Sequence, residues 1–162
     1  MKPEMDFDNL YSEYSPKIFR VCLSYLNDVE QAHDLTQETF IAVWQNLHTF
    51  RHKSDIGTWI YRIACNKCLR QIQRDARMQK APLPARLPDV ETTDVAQQQH
   101  LFLRNCISEL PELDRIIIGL FLEDIPQEKI AEITGLSHAN VRVKIHRIKE
   151  KLTQKFNDHG SF

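Results

Sequence analysis

Residues 127–145 read QEKIAEITGLSHANVRVKI, which has the spacing of two short helices joined by a tight turn. Gly135 suits the left-handed backbone that such a turn requires, and Ser137 suits the N-cap of the second helix. Ala131 is small enough for that helix to cross close by. The apolar residues expected to fill the wedge between the helices are Ile130, Leu136, Val141, Ile145 and Ile148. The stretch therefore predicts a helix-turn-helix.

The second helix of this motif has an apolar side and a mainly basic side. At about 100° per residue, Val141, Ile145, Ile148 and Leu152 form one stripe. The opposite face suits the DNA major groove, where basic side chains hold phosphates or guanine and Val143 touches thymine methyls. A plain packing motif with a solvated basic face is the alternative, but the turn chemistry favours DNA. The predicted contacts are His138, Asn140, Arg142, Val143, Lys144, His146, Arg147 and Lys151.

Outward from this motif, the whole chain has helical periodicity. Apolar residues recur at three- and four-residue steps from Phe7 to Tyr25 and again from Val29 to Leu47. Asn27 and Asp28 end the first of these helices and cap the second. A third helix follows the polar loop 49–55, with Ser54 or Asp55 as its N-cap. No alternating strand pattern competes, so the expected fold class is all-α.

A proline-rich stretch divides the chain into two small helical domains. Pro82, Pro84 and Pro88 lie close together, and proline lacks a backbone donor and fixes φ, so this stretch is no helix interior. We predict a first domain over 1–77, a flexible linker over 78–94 and a second domain over 95–162.

The charge is distributed in blocks although the net charge is only −1. Residues 51–80 carry eight basic and two acidic side chains, and residues 142–162 carry six basic and two acidic ones. The segments before and between these blocks are acidic. Two separate basic blocks favour two phosphate-facing surfaces, with solvated helix faces as the alternative.

Cys65 and Cys68 form a C-x-x-C pair within the third helix. As a zinc site the pair lacks a second pair of ligands at suitable spacing, and as a redox motif it lacks a βαβ context. We interpret these residues as two small side chains on a helix, one of them partly buried. No metal or cofactor is expected.

Three further segments carry a family resemblance. Residues 34–44 read DLTQETFIAVW, Phe50 and Arg51 follow, and residues 58–66 read TWIYRIACN. In this order they closely resemble region 2 of the extracytoplasmic-function sigma factors of the sigma-70 family, and Leu110-Pro111 with the helix-turn-helix resembles region 4. The resemblance implies a bacterial factor that binds core RNA polymerase and directs promoter-specific initiation by reading the −10 and −35 elements.

The resemblance also implies roles for individual residues. The helix with the D-L-T-Q-E-x-F pattern would dock on the polymerase clamp through Asp34, Gln37, Glu38 and Phe40. The loop and helix after it would melt and read the −10 element. Those residues are Arg51, His52, Lys53, Ser54, Trp59, Arg62, Asn66, Lys67 and Arg70. Core packing is an equally good interpretation of Trp59.

Core RNA polymerase and promoter DNA are the implied partners, together with an anti-sigma factor. A stand-alone helix-turn-helix regulator is the competing function, but it would leave the first domain unexplained. A thiol or metal protein that uses Cys65 and Cys68 is a third hypothesis. No nucleophile–base set favours an enzyme.

The sequence has no secretory signal and no apolar run long enough for a membrane span, which predicts a cytoplasmic protein.

Overall fold

A computed structural model describes residues 5–78 and 94–159, and within these ranges all regular structure is helical. The all-α expectation is confirmed. The predicted linker lies almost entirely outside the described residues: Met78 ends one helix, and Asp94 caps the next.

The first three helices are α1 (Phe7–Leu26), α2 (Val29–Asn46) and α3 (Ile56–Met78), with a single 3₁₀ turn at Leu47–Thr49. Asn27 ends α1 in the left-handed conformation at φ 52°, and the Asp28 side chain accepts a hydrogen bond from the Gln31 amide at 3.0 Å. The two residues therefore make the break between α1 and α2, as predicted.

The remaining helices are α4 (Val95–Ser108), α5 (Glu112–Leu122), α6 (Gln127–Thr134) and α7 (His138–His159). Pro111 and Pro126 stand immediately before α5 and α6, where their missing N–H groups cost nothing. The helices α6 and α7 are those that the helix-turn-helix pattern predicted.

The two halves of the chain pack against each other. The helix α1 lies against α5 and α4, and α3 lies against α6. Ile116, Ile117 and Ile118 of α5 are buried, and Gly119 of the same helix faces Ser24 of α1. A Cβ atom at Gly119 would lie 3.4 Å from Ser24 Cβ. One apolar interface thus joins the halves.

Polar contacts surround this apolar interface. Arg20 of α1 donates two hydrogen bonds to the Glu123 carboxylate, at 2.5 and 2.9 Å. Arg115 of α5 donates to the Tyr25 carbonyl at 3.0 Å, and Arg104 of α4 donates to Asn27 Oδ1 at 3.2 Å. These bonds fix the direction in which the two halves pack.

We expect Gly135→Ala to destabilise the protein and Gly119→Ala not to. Gly135 has φ 77° with open space around it, so alanine there costs only backbone strain, about 1 kcal/mol. Gly119 lies in a helix, and an added methyl makes ordinary contact, so the better helix propensity of alanine offsets it. Urea unfolding followed by circular dichroism measures both. Equal destabilisation of the two variants would contradict this assignment.

Candidate nucleic-acid and partner interfaces

The helix-turn-helix forms from the residues that predicted it. The Gly135 amide donates to the Ala131 carbonyl at 2.9 Å, and the Asn140 amide donates to Ser137 Oγ at 3.1 Å. Ile130, Ala131 and Val141 are buried between α6 and α7. The buried stripe of α7 thereby fixes which of its side chains point away from the protein.

Most of the predicted −35 contacts lie on this outward face of α7. The exposed residues among them are His138, Asn140, Arg142, Val143, His146, Arg147 and Lys151. His146 is 3.1 Å from the Glu150 carboxylate on the same helix. Lys144 is directed elsewhere, because its ammonium lies 3.4 Å from Asp114 of α5. Lys144 therefore holds α7 against α5 in this arrangement.

A second cationic surface consists of the loop before α3 and of α3 as far as Arg70. The predicted −10 residues that are exposed are Arg51, His52, Lys53, Arg62, Asn66 and Arg70, whereas Ser54, Trp59 and Lys67 are half-buried. The Phe50 ring lies 4.6 Å from His52 and 5.2 Å from Trp59 between ring centroids. Trp59 thus packs within this aromatic cluster while part of it faces solvent.

This second surface makes direct contacts with the helix-turn-helix. Asp55 caps α3 by accepting from the Thr58 amide at 2.7 Å, and it also forms an ion pair with Lys129 of α6 at 2.5 Å. The hydrogen bond from Lys129 is the main reason that the pKa of the Asp55 carboxyl is lowered. Arg62 donates from Nε to the Glu132 carbonyl at 2.9 Å. Arg62, a predicted DNA contact, is therefore hydrogen-bonded to the backbone of α6 in this arrangement.

A third surface is apolar and lies between α1 and α2. It is a hollow of about 420 Å³ lined by Phe7, Tyr11, Gln37, Phe40, Ile41 and Trp44. Tyr11 is 45% exposed, Ile41 56% and Trp44 64%. Asp34 and Glu38 of the same helix α2 are also exposed. Exposed apolar residues that lie together beside acidic groups are typical of a protein-binding surface.

The structure changes two sequence interpretations at this surface. Phe40, a predicted polymerase contact, is only 3% exposed and packs edge-on against Tyr11 at 5.0 Å. Phe40 therefore forms the buried floor of the hollow. Tyr11 and Trp44 belong to the apolar periodicity of α1 and α2, which is typical of a buried face, but both are exposed. Ile41 does not follow the apolar periodicity of α2, and an apolar side chain on the polar face of a helix is the sequence signal that could have found it.

The cysteines lie in the core and not at a surface. All four are free thiols and buried, and Cys68 donates to Cys22 Sγ at 3.6 Å across α3 and α1. Both members of the C-x-x-C pair are buried, whereas the sequence interpretation had one of them partly buried. Burial raises the pKa of the Cys65 thiol. Within the described residues no group of three or more His, Cys, Asp or Glu side chains is placed to hold a metal ion.

Comparison with known proteins matches both halves of the chain to one family. The model of sigma-70 region 2 matches residues 10–78, and the model of sigma-70 region 4 matches residues 102–152. The chain belongs to the sigma-70 family. The two matches together cover α1–α3 and most of the helices from α4 to α7, in the order that the sequence predicted.

Two similar sigma factors support this assignment. The sigma factor is 27% identical to the ECF RNA polymerase sigma factor RpoE of Cereibacter sphaeroides, over 94% of this chain and 87% of that protein. It is 28% identical to the RNA polymerase sigma factor YlaC of Bacillus subtilis, over 94% and 92%.

Two solved structures share the fold of this sigma factor. One is the sigma factor RpoE in complex with the anti-sigma factor NepR from Bartonella quintana, with a TM-score of 0.77, 19% identity and coverage of 96% and 98% of the two chains. The other is CnrH in complex with the cytosolic domain of CnrY, with a TM-score of 0.73, 21% identity and coverage of 95% and 89%.

The family decides between the competing functions. This sigma factor directs promoter-specific transcription initiation by RNA polymerase. The match to region 2 accounts for the first half of the chain, which a stand-alone regulator leaves unexplained. No helix within residues 5–78 and 94–159 has both the length and the hydropathy that crossing a membrane requires.

The thiols give a direct test of the core. We expect Cys22, Cys65 and Cys68 of the native protein to react with iodoacetamide at least about a hundredfold more slowly than in the unfolded chain, because buried thiols react only after the structure opens locally. Mass spectrometry of the alkylated protein measures each site. Rapid labelling of the native C-x-x-C pair would contradict this account and revive a redox role.

Proposed function

We propose that this sigma factor uses the three surfaces separately: the α1–α2 hollow for core RNA polymerase, the loop before α3 with α3 for the −10 element, and α7 for the −35 element. The observation that carries the proposal is the exposed hollow beside Asp34 and Glu38, because a DNA-binding regulator alone has no use for it. The factor contributes no catalytic group, and it acts in the cytoplasm, where the polymerase transcribes.

The polymerase surface is proposed to bind mainly through its apolar residues. Tyr11, Ile41 and Trp44 lie together and are about half exposed or more. Aromatic side chains at the centre of an interface commonly contribute most of the binding energy. The carboxylates of Asp34 and Glu38 at the edge would select a basic partner surface and speed its encounter. Phe40 acts as a support and not as a contact.

The −10 surface is proposed to bind a melted strand. Arg51, Lys53 and Arg70 are exposed cations that suit a phosphate backbone. The cluster of Phe50, His52 and Trp59 offers aromatic faces on which an unpaired base can stack. Removing a base from the duplex costs a few kcal/mol, which stacking of this kind helps to offset.

The compact arrangement of the two halves cannot contact both promoter elements at once. Elements at −10 and −35 are about 25 base pairs apart, which is roughly 80 Å of duplex at about 3.4 Å per base pair. A compact chain of 162 residues is roughly 40 Å across, from a radius of gyration of about 15 Å. The 15 residues between Met78 and Asp94 can reach at most about 50 Å. The two halves therefore have to separate before one chain can contact both elements.

We infer that the chain opens when it joins the polymerase. Opening breaks the Asp55–Lys129 and Arg20–Glu123 ion pairs and frees Arg62 from the Glu132 carbonyl. An inhibitory protein that binds only the closed arrangement would hold the factor inactive, because a ligand shifts an equilibrium toward the state that it binds. Since two similar structures are complexes with anti-sigma or cytosolic partner proteins, we propose an anti-sigma partner here too.

Transcription in vitro tests the polymerase surface. Purified factor and core RNA polymerase are supplied with a template selected from randomised DNA by the same holoenzyme. We expect Ile41→Glu to lower the core-dependent transcript at least about tenfold, because a charge is placed in a desolvated interface. We expect Asp34→Ala with Glu38→Ala to cause a smaller loss that shrinks at high salt.

Val95→Glu is the matched control for Ile41→Glu. Val95 is likewise an exposed apolar residue, but it lies at the start of α4, away from the hollow. We expect it to retain the transcript. Equal losses in both variants would remove the hollow from the proposal. Specific footprinting by the free protein, with no core-dependent transcript, would overturn the sigma function itself.

A further inference from the structure

One apolar side chain stands on the outward face of α7. Within residues 127–159, Val143 is the only large apolar residue that is exposed, at 45%. Val141, Ile145, Ile148 and Leu152, on the opposite side of this helix, are buried. Val143 therefore has no role in the core. A β-branched residue is also a poor choice for an exposed helix position.

The neighbours of Val143 indicate what covers it. Ala139, His146 and Arg147 lie three and four residues away on the same face. Arg142 and Arg147 form no ion pair with another described residue. A protein partner would have to desolvate these guanidinium groups, whereas a nucleic acid meets them with phosphates. The patch is therefore suited to DNA and not to an apolar protein surface.

The predicted −35 residues differ in whether their side chains are free to contact bases. Lys144 is held by Asp114 and turned toward α5, and His146 lies beside Glu150. Polar reading of base edges is left to Asn140, Arg142 and Arg147. The centre of the face, at Val143 and Ala139, offers methyl groups and no hydrogen-bonding atom.

Among the groups by which bases are recognised in the major groove, one is apolar like the centre of this face. Thymine carries a C5 methyl there, and the other recognition groups are hydrogen-bond donors and acceptors. Building on the proposed −35 function of α7, we propose that Val143, supported by Ala139, reads the methyl of a thymine in the −35 element. Val143 is thus a specificity-determining residue of this sigma factor.

Replacing single thymines by deoxyuridine tests this directly, since only the methyl is removed. The template recovered with the wild-type holoenzyme is resynthesised with one −35 thymine changed at a time. We expect initiation by the wild-type factor at limiting concentration to fall about three- to fivefold at one position, the effect of leaving one methyl-sized group unburied.

Variants locate the effect on the protein. Val143→Ala should initiate equally well on the thymine and deoxyuridine templates at that position, and it should fold because Val143 is exposed. Lys151→Ala is the control, since loss of a phosphate contact lowers initiation on all templates and leaves the thymine-to-deoxyuridine ratio unchanged.

Each remaining outcome is decisive. If no −35 position in the wild type distinguishes thymine from deoxyuridine, or if the discrimination persists in Val143→Ala, the assignment of Val143 is overturned while the sigma function stands. If the unmodified template gives no core-dependent transcript, the proposed function fails, and the methyl reading that rests on it fails too.

Discussion

The packing of α5 against α1 is the contact on which the rest of the closed structure depends. Ile117 and Ile118 are buried, and Gly119 lies against Ser24 of α1. Once these helices are in contact, the Arg20 guanidinium meets Glu123, and α6 comes to lie against α3. The ion pair between Asp55 and Lys129 and the bond from Arg62 to Glu132 follow from that placement. Exposed ion pairs each contribute only about 0–1 kcal/mol, so the apolar contact provides most of the stability and the polar contacts provide direction.

This contact conflicts with what a sigma factor has to do. The closed chain is about half as long as the promoter interval that regions 2 and 4 are proposed to span, and region 4 occupies Arg62 in region 2. The outward face of α7 and the α1–α2 hollow remain exposed, so the surfaces proposed for duplex DNA and the polymerase are accessible in the closed factor. The proposed opening would replace the interface between the halves with contacts to the polymerase.

The helices of this fold could be predicted almost completely from the sequence, because the positions of their ends depend on local chemistry. Helix ends are set by capping residues that bond to backbone groups only a few positions away. The residues Asn27, Asp28, Gly135 and Ser137 end or cap helices as their residue types predict. The contacts between the halves could not be predicted, since Arg20 and Glu123 are 103 residues apart and leave no periodic pattern. At the candidate sites, the apolar stripe of α2 is wider than the face that α1 covers. Periodicity alone could not show that Trp44 is exposed and Phe40 is buried.

Fluorescence energy transfer between the two halves tests the central claim most directly. A donor on α2 at Gln45 and an acceptor on α7 at Gln154, both exposed positions, report the separation of the halves. The account predicts high transfer in the free factor and a large fall when core RNA polymerase and promoter DNA are added. Arg20→Glu should lower the transfer of the free factor, and adding Glu123→Arg should restore it. Unchanged high transfer in a holoenzyme that makes transcript would contradict the account.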